Sequence, residues 1–254
     1  MKYFMTIAAS DNSGGAGIQQ DLKIAEKLEW WGLSAITGIT VQNFQKLDHI
    51  YPVEPTVLKQ QIEKCFDSFP VKAVKIGAIC SQENLNTIVS CLHKYKPKIV
   101  VADAVFAPTR GKGFLDEEGI RDFREKLLPL VTIIKPNKGE LELLCGSEFP
   151  DFDSAIEGAK ELSCEYGCAI FLSGGHFEGD NVREAIIDNI FITILEKKRH
   201  NWKYSHGTGC ALTTALACSL HEEITLAEAS RQASAFVSDY YNEINQEFFK
   251  DTTE

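Results

Sequence analysis

The feature of this chain that most restricts its fold is an alternation between two hydrophobic periods. Short apolar runs at 3–9, 33–41, 71–76, 98–102, 131–134 and 169–172 are separated by segments whose apolar residues recur at helical spacing. Ile18, Leu22, Ala25 and Leu28 set that spacing over 18–31, and further helices are predicted at 55–66, 82–93, 116–127, 138–145 and 152–165. Repeated strand–helix units place strands in parallel and cover both faces of the sheet with helices. The runs 183–187 and 189–196 adjoin without an intervening helix, which predicts an antiparallel addition at one edge. Helices near 208–220 and 225–248 close the chain, and the stretch carrying Pro52 and Pro55 reads as a loop. No linker, repeat or low-complexity tract interrupts the pattern, so residues 1–254 are expected to form one α/β domain.

In a mostly parallel sheet, ligands bind beyond the carboxyl ends of the strands. The unusual residues of this chain fall there. Asp11 and Gly14-Gly15-Ala16-Gly17 follow the first run, Gln42-Asn43 the second, Gly77 the third and Asp103 the fourth. Pro136-Asn137-Lys138-Gly139-Glu140 follows the fifth and Ser173-Gly174-Gly175 the sixth. Each alone is compatible with a plain turn, but turn chemistry does not explain their gathering on one rim. Ser205-His206-Gly207-Thr208-Gly209-Cys210 then opens a helix of small residues. A Gly-x-Gly turn at a helix start lets N–H groups without intrahelical partners converge where the helix dipole is positive. Such a place holds an anion, commonly a phosphate; the plain alternative is a glycine-softened helix cap. His206 beside this turn is placed to touch a ligand.

Composition and motif spacing remove most other chemistries. A formal net charge of −10 over 254 residues argues against a nucleic-acid partner, while leaving nucleotide binding open. No run of 18 apolar residues is present, so no membrane span is expected. Eight cysteines without a CxxC pair read as reduced thiols of a cytoplasmic protein. Gly14-Gly15-Ala16-Gly17 is followed by no Gly-Lys-Ser/Thr and lacks the third glycine of a dinucleotide fingerprint. There is no Gly-x-Ser-x-Gly elbow, and the six histidines show no metal-ligand spacing. The chemistry left is phosphoryl transfer without a P-loop. It needs an anion nest, carboxylates for magnesium and positioned groups for an acceptor alcohol.

The run Ser10-Asp11-x-Ser13-Gly14-Gly15-Ala16-Gly17-Ile18-Gln19-x-Asp21-Leu22-Lys23 resembles the N-terminal motif of hydroxymethylpyrimidine and phosphomethylpyrimidine kinases of thiamin biosynthesis. Gln42-Asn43, Lys75-Ile76-Gly77, Pro136-Asn137-x-x-Glu140, Gly174-Gly175-His176 and His206-Gly207-Thr208-Gly209-Cys210 match that family in the same order. The resemblance implies a ribokinase-like fold, a three-layer α/β/α sandwich with a mostly parallel sheet and an antiparallel edge, in a homodimer. It implies ATP and Mg²⁺ as cosubstrate and cofactor, and an aminopyrimidine as acceptor. Asp21 and Gln42 would then hydrogen-bond the pyrimidine with help from the Thr40 backbone, Asp11 and Gly77 lying beside it. Gly207, Thr208, Gly209 and Cys210 would form the anion hole. Asn137, with Thr208 and Gly209, would serve the ATP phosphates, and Asp103 and Glu140 the magnesium.

Cys210 stands where most ribokinase-like enzymes carry an aspartate base. A helix N-terminus favours a thiolate, so the expectation is a Cys210 base, with a pure positioning role as the alternative. Two departures from the family pattern stand out. The loop after the fourth strand reads Asp103-Ala104-Val105-Phe106-Ala107-Pro108-Thr109-Arg110-Gly111, and Ser173 replaces a lysine before Gly174-Gly175. Arg110, Lys112 or Lys135 are the cations available to compensate. Two rival functions stay open from these residues: a pyridoxal or pyridoxine kinase of the same fold, and a non-catalytic pyrimidine or nucleotide sensor.

Overall fold

The computed structural model describes residues 1–106, 113–175, 177, 179–220 and 224–248. Arg110, Lys112 and His176, and most of the 104–110 loop, lie outside the described residues. The eight expected strands and one more form a nine-stranded sheet. They are β1 (Lys2–Asp11), β2 (Trp30–Gln42), β3 (Leu47–Pro52), β4 (Val71–Ile76), β5 (Val100–Asp103), β6 (Ile133–Lys135), β7 (Ala169–Leu172), β8 (Asn181–Asp188) and β9 (Phe191–Lys198). Their order is β3-β2-β1-β4-β5-β6-β7-β8-β9. The central six pair in parallel, whereas β3 pairs antiparallel with β2, and β8 and β9 continue antiparallel from β7.

The sheet therefore has antiparallel additions at both edges. Leu47–Pro52, read above as loop, is the second edge strand. Apart from buried Leu47 and half-buried Ile50 it is exposed, and it ends in a proline, so no buried alternation marks it. Two further boundaries differ. Helix α1 (Gly17–Lys27) stops before Trp30, because Glu29 turns the chain in a left-handed conformation at φ 62° with no glycine to announce it. The helix expected at 116–127 is α4 (Glu117–Asp122), followed by a π-helical turn over Phe123–Leu127 ahead of Pro129.

Alternation along the parallel strands sorts the core into two halves. Met5, Ile7, Val74 and Ile76 face α2 (Pro55–Ser68), α3 (Gln82–Tyr95), α5 (Lys138–Cys145) and α6 (Phe152–Tyr166). Phe4, Ala73, Val101 and Ile133 face α1, α7 (Thr208–Ser219) and α8 (Leu226–Phe248). On this second face the register brings polar side chains together. Thr6 lies beside Lys75, and Asp103 lies opposite Lys135. The small residues of α7, Ala211, Ala215 and Ala217 among them, let that helix settle close over this polar patch. No helix of the described residues is long and apolar enough to cross a membrane.

Candidate active site

A cavity of ≈ 580 Å³ opens over the carboxyl ends of the strands. Its floor is the N-terminus of α7. Gly207 caps this helix at φ 79°, and no side chain bonds to the first-turn N–H groups. Other helices here close that end with Ser81, Asp116, Asn137 or Asp151. The Thr208 N–H turns back to the Ser205 carbonyl at 3.3 Å, and the donors that follow it are left for an acceptor in the cavity. Gly207 is obligatory for a second reason: a Cβ there would lie 1.8 Å from the Gly15 carbonyl oxygen. The two glycine turns, 192 residues apart in sequence, thus touch through their backbones.

Asp11 organises the first of those turns. Its Oδ1 accepts hydrogen bonds from the Ser13 N–H at 2.8 Å and the Ser13 hydroxyl at 2.7 Å; its Oδ2 accepts from the Ala16 N–H at 2.8 Å. His206 Nε2 lies 3.2 Å from the same Oδ2 and ties the turn to the nest. Burial works against this carboxylate, but the His206, Gln42 and Ser13 hydrogen bonds outweigh it and hold the group well below the usual range. The pre-nest segment is anchored from behind as well. Tyr241 donates to the His206 carbonyl at 2.8 Å, and Asn245 donates to the Tyr204 carbonyl at 2.9 Å. Phe44, from the β2–β3 turn, packs against Tyr204 and His206 with ring centroids 5.1 and 5.8 Å away.

Two buried ion pairs flank the start of α7. The Lys75 ammonium lies 3.0 and 2.9 Å from the two Asp21 oxygens, with both side chains fully buried. Thr6 donates to Asp21 at 2.5 Å and Thr214 of α7 at 2.9 Å. Burial disfavours the Lys75 ammonium, yet the Asp21 carboxylate, with Cys210 and Asp103 nearby, outweighs it and the group is pushed up. The second pair is Lys135 with Asp103, Nζ to Oδ1 at 3.0 Å. The Thr213 hydroxyl lies 3.5 Å from Asp103 Oδ2 and bonds the Gly209 carbonyl at 3.0 Å. Burial again opposes the lysine, and Asp103 and Glu140 overcome it and push it up.

Of the residues singled out from sequence, Asp11, Thr40, Gln42, Asp103, Asn137, Glu140, Gly207, Thr208, Gly209 and Cys210 all line this one cavity. Two do not. Asp21, expected beside the pyrimidine, is 0% exposed beneath α7, with both oxygens bonded to Thr6, Lys75 and Thr214. Gly77 lies under the wall, where a Cβ would meet the Lys75 ammonium at 2.9 Å; its part is to leave room for that side chain. Thr40 spends its hydroxyl on the Ser10 carbonyl at 3.0 Å.

Cys210 lies in the first turn of α7. Burial pushes its thiol up to about 11, Asp21 and Asp103 adding to the effect against Lys75 and the Gly17 N–H. At pH 7 the thiolate is then about one part in 10⁴. Asn137 and Glu140 form a reciprocal helix cap for α5: the Glu140 N–H donates to Asn137 Oδ1 at 3.0 Å, and the Asn137 N–H donates to Glu140 Oε2 at 2.7 Å. Burial, with the neighbouring Asp103 charge against Lys135, raises the Glu140 carboxyl to about 7.

The buried pairing of Lys75 and Lys135 is only weakly marked in the sequence. The available signal was a lysine inside an otherwise apolar parallel strand, where a charge needs a buried partner. At the far end of the cavity, Glu184 of β8 is bound by Lys197 at 2.8 Å and by Ser234 of α8 at 2.6 Å. No local pattern linked those three positions.

A mostly parallel sheet with antiparallel edges and a glycine-capped helix N-terminus over its carboxyl ends is the fold of the ribokinase-like kinases. The relatives narrow this. The chain belongs to the phosphomethylpyrimidine kinase family, whose model matches residues 11–248. A hydroxymethylpyrimidine/phosphomethylpyrimidine kinase of Rhizobium meliloti is 32% identical over 234 residues, 92% of this chain and 88% of that protein. The crystal structure of a phosphomethylpyrimidine kinase from Clostridium difficile 630 superposes with a TM-score of 0.82 at 30% identity, covering 94% of this chain and 99% of that one. An ADP complex of Bacillus subtilis pyridoxal kinase superposes with a TM-score of 0.86 at 28% identity, covering 94% and 91%.

Proposed function

We propose that this chain transfers the γ-phosphoryl group of ATP to the hydroxymethyl group of 4-amino-5-hydroxymethyl-2-methylpyrimidine, to its monophosphate, or to both. The observation that carries the reading is the uncapped N-terminus of α7, held by Asp11, His206 and Gly15 at the centre of the cavity. Gln42 sits on one side of this nest, its backbone N–H bonded to Asn12 Oδ1 at 2.8 Å and its side chain turned to Asp11. An amide carries both a donor and an acceptor, the pair that an aminopyrimidine edge requires. Asn137, Thr208 and Gly209 line the same cavity, which supports a role for them toward the nucleotide phosphates.

Among the described residues no three His, Cys, Asp or Glu side chains group as a preformed metal cage. Magnesium needs fewer protein ligands when phosphates and water complete its shell. The Asp103 and Glu140 carboxylates both line the cavity and offer the oxygen donors that such an ion takes. Bound there, magnesium would supply neutralisation of phosphate charge. The nest N–H groups stabilise the transferred oxyanion, and the Asp11–His206 contact keeps them aimed. Cys210, a thiol at neutral pH, positions rather than deprotonates. A loose phosphoryl-transfer transition state asks little of a base.

The eight free thiols support a reducing, cytoplasmic setting. The continuous nine-stranded sheet supports one domain over 1–254. The exposed apolar Ile39, Val41 and Tyr51 on the β2–β3 hairpin support a homodimer, which light scattering tests. A second reading, pyridoxal kinase, is favoured by the structural likeness to the Bacillus subtilis enzyme. Initial rates of ADP release with the hydroxymethylpyrimidine, its phosphate and pyridoxal decide between them. The proposal expects kcat/KM to be highest for one of the two pyrimidines, and a higher value for pyridoxal overturns it.

A further inference from the structure

The two lysines beside the nest are not equivalent. Lys75 gives its ammonium to both oxygens of Asp21, and its side chain is 0% exposed. It borders the cavity with its ammonium held between the two Asp21 oxygens and away from solvent. Lys135 is bonded to one oxygen of one carboxylate, Asp103 Oδ1 at 3.0 Å, and its side chain keeps 7% of its surface open. An ammonium has three donors, so two are left. A Cβ built on Gly209 would lie 3.2 Å from Lys135 Nζ, which puts the ammonium against the first turn of α7, where the nest donors emerge. The neighbouring Ser173 carries no charge, and its hydroxyl is turned to the Pro136 carbonyl at 3.3 Å. Arg199, another cation on the cavity wall, donates to the carbonyls of Gly175, Phe177 and Gly179. Lys197 is bonded to Glu184 and Ser234 at the opposite end.

Resting on the kinase reading above, we propose that Lys135 is a catalytic residue whose ammonium contacts the nucleotide's phosphate chain at the nest and neutralises it, taking from β6 the place left without a cation by Ser173. Gly209 is part of the same device, since any side chain there would crowd the ammonium. Asp103 holds Lys135 in position, and the N–H groups of α7 share the oxyanion with it. The charge-assisted bond is absent for a ligand without phosphates, which gives the proposal its control.

The test uses the full-length protein, with AMP-PCP and adenosine as calorimetric probes and ADP release as the activity. Lys135→Gln removes the charge but retains an amide donor for Asp103. It is expected to weaken AMP-PCP by about 10- to 100-fold, with adenosine within about threefold of wild type, and to lower kcat at least as much. Adding Ser173→Lys to that variant is expected to restore at least about tenfold in kcat by returning a cation to the cavity. Equal weakening of both probes marks a merely structural role and overturns the proposal, as does unchanged AMP-PCP affinity. Should the variants fail to fold, the side-chain ¹H–¹⁵N ammonium signal of Lys135 in the wild type decides. A shift with AMP-PCP but not with adenosine upholds the contact, and an unmoved signal refutes it. A Lys135→Gln enzyme with wild-type turnover sinks this proposal alone. AMP-PCP binding that depends on Lys135, in a protein that phosphorylates no pyrimidine or pyridoxal, sinks the kinase reading alone.

Discussion

Replacing Asp21 by Asn separates a structural ion pair from a substrate ligand. In the native protein the carboxylate accepts bonds from Thr6 at 2.5 Å, Thr214 at 2.9 Å and the Lys75 ammonium at 2.9 and 3.0 Å, all without solvent access. Asparagine offers one acceptor oxygen and turns an NH₂ group toward donors. The Lys75 charge is left buried without a counterion, which costs about 3–5 kcal/mol. For a chain of this length, 1 kcal/mol moves Tm by about 2–4 °C, so the variant should melt roughly 6–20 °C lower. Lys75→Met strands the carboxylate instead and should cost a similar amount. The double variant buries no charge and is expected within about 2 kcal/mol of wild type. Urea unfolding of the four proteins gives the coupling energy. Steady-state kinetics at a temperature where all are folded gives KM for the pyrimidine, expected within about threefold of wild type because Asp21 lies buried outside the cavity lining; the magnitude is that of a lost packing contact rather than a lost ligand bond. The reasoning fails if Asp21→Asn is as stable as wild type and raises that KM tenfold or more.

Three other outcomes follow from the same geometry. Gly207→Ala must place a Cβ 1.8 Å from the Gly15 oxygen at φ 79°, so kcat should drop by about 100-fold or more, and Gly207→Ser should do no better. Cys210→Ala should keep kcat within about tenfold, because a thiol near 11 is no base at neutral pH, and the pH–rate profile of wild type should show no Cys210 ionisation between pH 7 and 9. Stability should fall in alkali: Cys80 and Cys168 are pushed by burial up to about 11 and about 12, above their ordinary value of 9.0. The unfolded chain then loses those protons first, so the contribution is whole below pH 9 and lost as pH rises through about 11–12. It is worth about 2–3 kcal/mol for Cys80, and Cys80→Ala should flatten that part of the Tm–pH curve.

How far the sequence reaches depends on whether a feature is local. The six parallel strands are continuous apolar runs and declare themselves, and the glycine turns mark where the chain must bend over the rim. Strand β3 hides because an exposed edge carries no buried period. Around the nest, the Gly-Thr-Gly turn shows in the chain, but its contact with Gly15 is a matter of tertiary packing. Asp21 illustrates the limit most clearly. Its motif points to the site, yet it lies one layer below the cavity, because Lys75 on a strand 54 residues away claims both oxygens. The helix dipole argument for a Cys210 thiolate likewise holds for an exposed helix start and loses to burial between two carboxylates.

Single-turnover quench flow with enzyme in excess over radiolabelled γ-phosphate ATP, with hydroxymethylpyrimidine or its monophosphate present and product identified by mass, tests the central claim most directly. The account predicts that the label appears on at least one of the two pyrimidines in a single exponential phase, and that Gly207→Ala slows this phase by about 100-fold or more. Label recovered as inorganic phosphate, or remaining on ATP with either pyrimidine bound, would contradict it.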